Sequence, residues 1–121
     1  MKKILIADDM AEIRELVSLT LQRGDYVIYE AQNGKEAVDL SRTHQPDLII
    51  MDILMPGEID GLEATRHLKS FPETKEIPII LLTGKGKEVD KEEGLAAGAL
   101  DYFAKPFSPL ALIRKVEEII E

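Results

Sequence analysis

Five polar side chains stand behind short apolar runs. Asp8 and Asp9 follow Ile4-Leu5-Ile6-Ala7, Asp52 follows Leu48-Ile49-Ile50-Met51, Thr83 follows Ile79-Ile80-Leu81-Leu82, and Lys105 comes soon after Tyr102-Phe103. Such a run reads as a buried strand, and the residue behind it is the first whose side chain leaves the core. A single aspartate there is an ordinary turn or cap residue. Three in one crevice are not: carboxylates that share a pocket repel, and they stay ionised only beside compensating positive charge. Lys105 supplies one such charge, and a divalent cation would supply two. Donors that are all oxygen, with neither His nor Cys, select a hard ion such as Mg²⁺. A carboxylate, a magnesium ion, a lysine and a hydroxyl together suit phosphoryl transfer. Asp52 would attack phosphorus to give an acyl phosphate. The metal and Lys105 would neutralise the transferring oxygens, and Thr83 would donate a hydrogen bond to one of them. No residue of the set reads as a base for a second substrate, so the modified aspartate itself reads as the product.

The elements that must position these groups alternate along the chain. Strands are expected at 3–7, 26–29, 47–52, 78–83 and 100–104. Helices are expected at 10–23, with Ile13, Leu16, Val17, Thr20 and Leu21 on one stripe, at 34–43 with Ala37 and Leu40 inward, and at 60–70 with Leu62, Thr65 and Leu68 inward. A helix at 87–97 carries Gly94, which costs about 1 kcal/mol relative to Ala in a helix interior. Ser108 can cap the last helix, Pro109 suits its first turn, and Leu110, Ile113, Val116 and Ile120 read as its inner face. Three of the strands are continuous apolar runs, as expected when both faces of a parallel sheet are covered by helices. Five βα units with right-handed crossovers predict a doubly wound α/β sheet, with its ligand crevice off the carboxyl ends of the strands.

Composition removes other function classes. At 121 residues the chain is one domain's worth. It has no cysteine, hence no thiol nucleophile, Cys-ligated zinc or disulfide framework. A net charge of −8 opposes the phosphate neutralisation on which nucleic-acid affinity depends, so no direct nucleic-acid binding is expected. The apolar run behind Met1-Lys2-Lys3 stops at Asp8-Asp9, too short for a signal peptide, and no stretch approaches the roughly 20 apolar residues of a membrane span. A cytoplasmic location without membrane insertion is the expectation.

The ordered set of motifs resembles the receiver domains of bacterial two-component response regulators. The matching pieces are Ile4-Leu5-Ile6-Ala7-Asp8-Asp9, Pro46-Asp47-Leu48-Ile49-Ile50-Met51-Asp52, Met55-Pro56 with Asp60-Gly61-Leu62-Glu63, Leu82-Thr83, Gly98-Ala99-Leu100-Asp101-Tyr102 and Lys105-Pro106-Phe107. The resemblance implies a flavodoxin-like (βα)5 sheet of strand order 2-1-3-4-5, with residues 1–121 as one receiver. It implies Asp52 as phosphoacceptor, with Mg²⁺ on Asp9, Asp52 and the backbone carbonyl of Leu54, and Asp8 acting mainly through water. Lys105 would pair with the phosphoryl group, Thr83 and Tyr102 would form a switch pair, and the Lys105–Pro106 bond would be cis. The implied phosphodonor is a sensor histidine kinase or histidine phosphotransfer protein, docking on the first helix and the Pro106-Phe107 loop. A changed α4–β5–α5 surface would then act on a downstream protein, from a monomer or a phosphorylation-dependent dimer. With the chain ending at the fifth helix, output through protein contacts from a stand-alone receiver is expected.

Three departures from the family pattern stand out. The loop 56–61 is one residue longer, and Gly84 replaces the usual Ala. Leu54 and Lys85 occupy positions that in this family govern how water reaches the acyl phosphate. His44 and His67 read as surface residues, Leu19 and Ala11 as exposed positions, and Lys85 and Lys87 as a solvated helix start without the spacing of a phosphate loop. A magnesium-dependent phosphohydrolase with Asp52 as nucleophile is the competing reading, but it needs an acid where Leu54 stands. An FMN binder of the same topology would place the cofactor's phosphate against Asp8-Asp9-Met10-Ala11-Glu12, which repels it. A receiver that no longer takes phosphate would not need all five key side chains. The apolar Leu54 implies slow hydrolysis of the acyl phosphate. A Leu54→Asn variant is expected to shorten its lifetime, and an unchanged lifetime would count against that role.

Overall fold

In the computed structural model, residues 1–22, 24–84 and 88–121 are described, the side chains of 88–91 excepted. Five strands alternate with five helices: β1 Lys2–Ala7, α1 Ala11–Thr20, β2 Tyr26–Ala31, α2 Gly34–His44, β3 Leu48–Asp52, α3 Gly61–Ser70, β4 Ile79–Thr83, α4 Glu88–Ala97, β5 Asp101–Ala104 and α5 Pro109–Ile120. The strands form one parallel sheet in the order β2-β1-β3-β4-β5, the expected flavodoxin-like arrangement.

Two cores explain why the central strands are apolar without alternation. Successive side chains of a strand point to opposite faces of the sheet. Leu5, Ile49, Met51, Ile79 and Leu81 join Ala37 and Val38 of α2 and Leu62, Ala64 and Leu68 of α3 on one face. Ile4, Ile6, Leu48, Ile50, Ile80 and Leu82 join Val17 of α1, Leu21 directly behind that helix, and Leu112 and Val116 of α5 on the other. Each fully buried Leu or Ile contributes about 1.5–3 kcal/mol, so both parities of each strand resist a shift of register.

Caps fix where α2, α3 and α5 begin. Asn33 accepts from the Glu36 amide at 2.8 Å, Asp60 from that of Glu63 at 2.9 Å, and Ser108 from that of Ala111 at 3.2 Å. Met10 offers α1 no side-chain cap, a gap that bears on the site below. Gly94 has a packing reason: a Cβ there would lie 2.6 Å from Leu81 Cδ1. Gly57 holds φ 108° in the lengthened loop.

The structure corrects several expectations. α1 ends at Thr20, short of residue 23, and Leu16 is exposed rather than on the buried stripe. β2 extends beyond Tyr29 to Ala31, adding Glu30. β3 begins at Leu48, because Asp47 instead takes the Lys3 amide on its carboxylate at 2.8 Å. On α5 the helix turns Leu110 outward and Leu112 inward. His44 is half-buried and stacks on Tyr29 with ring centroids 4.3 Å apart, whereas His67 is exposed. The readings of Lys85 and Lys87, and a start of α4 at residue 87, lie outside the described residues.

Gly61 matters most to the site. A Cβ at this position would lie 2.1 Å from the backbone carbonyl oxygen of Asp52. Gly61→Ala is therefore expected to destabilise the fold by about 1–3 kcal/mol through forced backbone displacement. Urea denaturation checks this, and a stability equal to that of the unaltered chain would show that the contact relaxes freely.

Candidate functional site

The order of the sheet decides which strand ends meet. β1 and β3 are neighbours at its centre, with Ala7 paired to Met51, so Asp8 and Asp52 emerge side by side. This is the point where the chain reverses its direction of strand addition, the usual crevice of an open α/β sheet. One carboxylate oxygen from each of Asp8, Asp9 and Asp52 lies within 4.8 Å of the others. Asp8 is fully buried, Asp52 is 6% exposed and Asp9 faces solvent.

Lys105 reaches this group from the loop behind β5. Its Nζ lies 2.9 Å from Asp8 Oδ2 and 3.3 Å from Asp52 Oδ2. The loop is tied back by the Lys105 amide, which donates to the Thr83 carbonyl at 2.8 Å, and the Lys105–Pro106 bond is cis. Burial works against the ammonium, but the hydrogen bond to Asp8 and the charges of Asp52 and Asp8 outweigh it and hold the Lys105 pKa above the ordinary lysine value.

Asp52 feels the opposite balance. Burial, then the charge of Asp8, push its carboxyl up to about 6, although Lys105 and a backbone hydrogen bond from Leu54 pull the other way. The Leu54 side chain itself points to solvent, 58% exposed. Among the described residues three acids face one lysine, an excess of two negative charges when all are ionised.

Thr83 ends β4 and is nearly fully buried. Tyr102 pairs with Leu81, two residues before Thr83, and its half-buried ring packs on the α2–α3 core. Alternation puts the Thr83 side chain on that same face, so the two are neighbours across adjacent strands. The structure thus brings together Asp8, Asp9, Asp52 and Lys105, with Thr83 at the adjoining strand end and Tyr102 further along β5.

One contributor was not legible in the sequence. Arg14, on α1, donates through Nη1 to the backbone carbonyl of Asp8 at 2.8 Å, and its Nε meets Glu30 of β2 at 2.9 Å. The only signal was a cation near the start of a helix, where the helix dipole disfavours one.

The response regulator receiver domain profile matches residues 4–117. The chain belongs to that family. The receiver is 43% identical over 118 residues to the transcriptional regulatory protein ResD of Bacillus subtilis, covering 98% of this chain and 48% of ResD. It is 43% identical over 119 residues to the phosphate regulon transcriptional regulatory protein PhoB of Pseudomonas aeruginosa, covering 98% of this chain and 52% of PhoB. The chain therefore spans about half the length of these relatives. The solved chemotaxis protein CheY4 of Vibrio cholerae superposes with a TM-score of 0.89 at 34% identity, covering 99% of both chains. Among the described residues, no helix is long and apolar enough to cross a membrane.

The raised Asp52 pKa has a consequence for stability. A carboxyl with a higher pKa folded than unfolded binds more protons in the native state, so its ionisation destabilises the fold as pH rises from about 4 through about 6. With divalent metal chelated, Asp52→Asn is expected to be more stable than the unaltered receiver at pH 7.5 and to lose part of the decline between pH 4 and 6. Thermal denaturation across that range checks it; a less stable Asp52→Asn at pH 7.5 would contradict the electrostatic account.

Proposed function

We propose that residues 1–121 form a phosphoacceptor receiver in which Asp52 takes a phosphoryl group from a phosphohistidine. The donor is a sensor histidine kinase or a histidine phosphotransfer protein. The observation that carries the reading is the grouping of Asp8, Asp9 and Asp52, one oxygen of each within 4.8 Å of the others, with Lys105 on Asp8 and Asp52.

The donor set suits Mg²⁺: oxygen ligands only, excess negative charge, and an exposed Asp9 that leaves one side open to water and substrate. Asp9, Asp52 and the Leu54 carbonyl would hold the ion, with Asp8 acting through water. Bound there, it supplies positive charge to the phosphoryl oxygens and offsets the repulsion among the carboxylates. The remaining roles belong to the chain itself. Asp52, mostly ionised at neutral pH with a pKa of about 6, presents a carboxylate oxygen to phosphorus. The P–O bond forms as the P–N bond of the donor breaks, and the imidazole keeps the leaving electron pair and takes a proton. Lys105 turns from the carboxylates to the incoming phosphoryl oxygens, and Thr83 donates to another of them.

Drawing Thr83 toward the phosphoryl group changes the packing beside Tyr102, and the α4–β5–α5 surface follows. A downstream protein reads that surface, with the receiver a monomer or a phosphorylation-dependent dimer in the cytoplasm. The receiver promotes only its own phosphorylation and slow dephosphorylation. The phosphohydrolase alternative finds no support at position 54, where the exposed Leu54 side chain carries no proton to give a leaving group.

Incubation with Mg²⁺ and acetyl phosphate, followed by intact-mass measurement, tests the reading. One added phosphate on the unaltered chain and none on Asp52→Asn is the expected result. No adduct on either, or an undiminished adduct on Asp52→Asn, would overturn the assignment.

A further inference from the structure

Asp8 is held by every polar atom it has. Its amide donates to the Ala31 carbonyl of β2 at 3.0 Å, its Oδ1 accepts from the Met10 amide at 2.9 Å, and its Oδ2 accepts from Lys105 at 2.9 Å. The fourth atom is its carbonyl oxygen, which Arg14 takes. That carbonyl lies in the peptide plane joining Asp8 to Asp9, so whatever fixes it fixes the direction in which Asp9 leaves β1.

We propose that Arg14 is a positioning residue for the metal site: its guanidinium locks the Asp8–Asp9 peptide plane and so sets the Asp9 carboxylate against Asp52. Two features support the role. Arg14 is only 13% exposed, and its Nε is pinned by Glu30, a β2 residue 48% exposed, so the planar fork reaches Asp8 from a fixed direction. In addition, α1 begins at Met10 without a side-chain cap, leaving the entry to the helix to be fixed by the Asp8 contacts. Arg14 touches no carboxylate of the metal-ligand set. It acts through the Asp8 backbone, as outer hydrogen bonds orient ligands in metal sites generally.

Charge and geometry make opposite predictions here. Removing a cation beside an acidic pocket would, by Coulomb's law alone, tighten the binding of a divalent ion. Losing the lock on the peptide plane would weaken it.

The inference rests on the proposed function, and its test separates the two. Arg14→Met keeps the apolar stem and removes the donors. Magnesium binding to the full chain is read by isothermal titration calorimetry, and folding stability by urea denaturation in chelator. The dissociation constant of Arg14→Met is expected to rise about tenfold. Arg14→Lys, which keeps the charge and one donor but loses the fork, is expected to bind magnesium more weakly than the unaltered chain as well. An Arg14→Met constant that is unchanged or smaller overturns the inference, even if the denaturation midpoint falls, since a merely structural Arg14 would move only the midpoint. Should Arg14→Met not fold, Arg14→Lys decides: a weaker constant supports the role and an unchanged one overturns it. If the unaltered chain binds no magnesium at millimolar concentration, the metal-dependent reading of the site fails first, and this inference with it.

Discussion

Repulsion among Asp8, Asp9 and Asp52 is the constraint around which this molecule is built. Two of the three are taken almost wholly out of water, and among the described residues Lys105 is the lysine that meets them. Desolvation and like charge act in the same direction on Asp52, and its raised pKa records the tension. A well-packed core would favour apolar residues there. Their absence marks a place where fold stability is traded for an acidic pocket whose oxygen donors could hold a cation.

The rest of the architecture holds that tension in place. Fully buried Ile, Leu and Met side chains on β1, β3 and β4 lock the register on both faces of the sheet. Gly61 lets α3 start against the Asp52 backbone, where no Cβ would fit. On the opposite side, Arg14, Ala31 and Met10 pin Asp8 through its backbone and one carboxylate oxygen. Asp9 remains exposed, and the Lys105 ammonium is shared between Asp8 and Asp52.

The same construction packs Thr83 and Tyr102 into one layer. Thr83 continues a strand whose previous residues are completely buried, so its displacement cannot be absorbed locally. Tyr102 lies on the adjacent strand and the same face, packed against the core that α2 and α3 share with the sheet. A shift at one strand end would be felt at the neighbouring one, because both are embedded in the same close-packed layer.

The sequence by itself determined the alternation of strands and helices, the parallel sheet, the cap at Ser108-Pro109, and the candidate site residues. Each of these is a local signal: an unbroken apolar run, a turn or cap residue at a fixed offset, a polar residue at a strand end. What needed the tertiary structure depends on partners far along the chain. Leu16 and Leu110 fit a helical stripe on paper, yet α1 leaves Leu16 in solvent while Val17 of the same expected stripe meets the sheet, and α5 turns Leu112 inward in place of Leu110. Glu30 lay outside the strand expected at 26–29, whereas β2 continues past it and presents it to Arg14. A backbone carbonyl leaves no trace in residue types, so the hydrogen bond from Arg14 to Asp8 emerges only once β1, β2 and α1 are assembled.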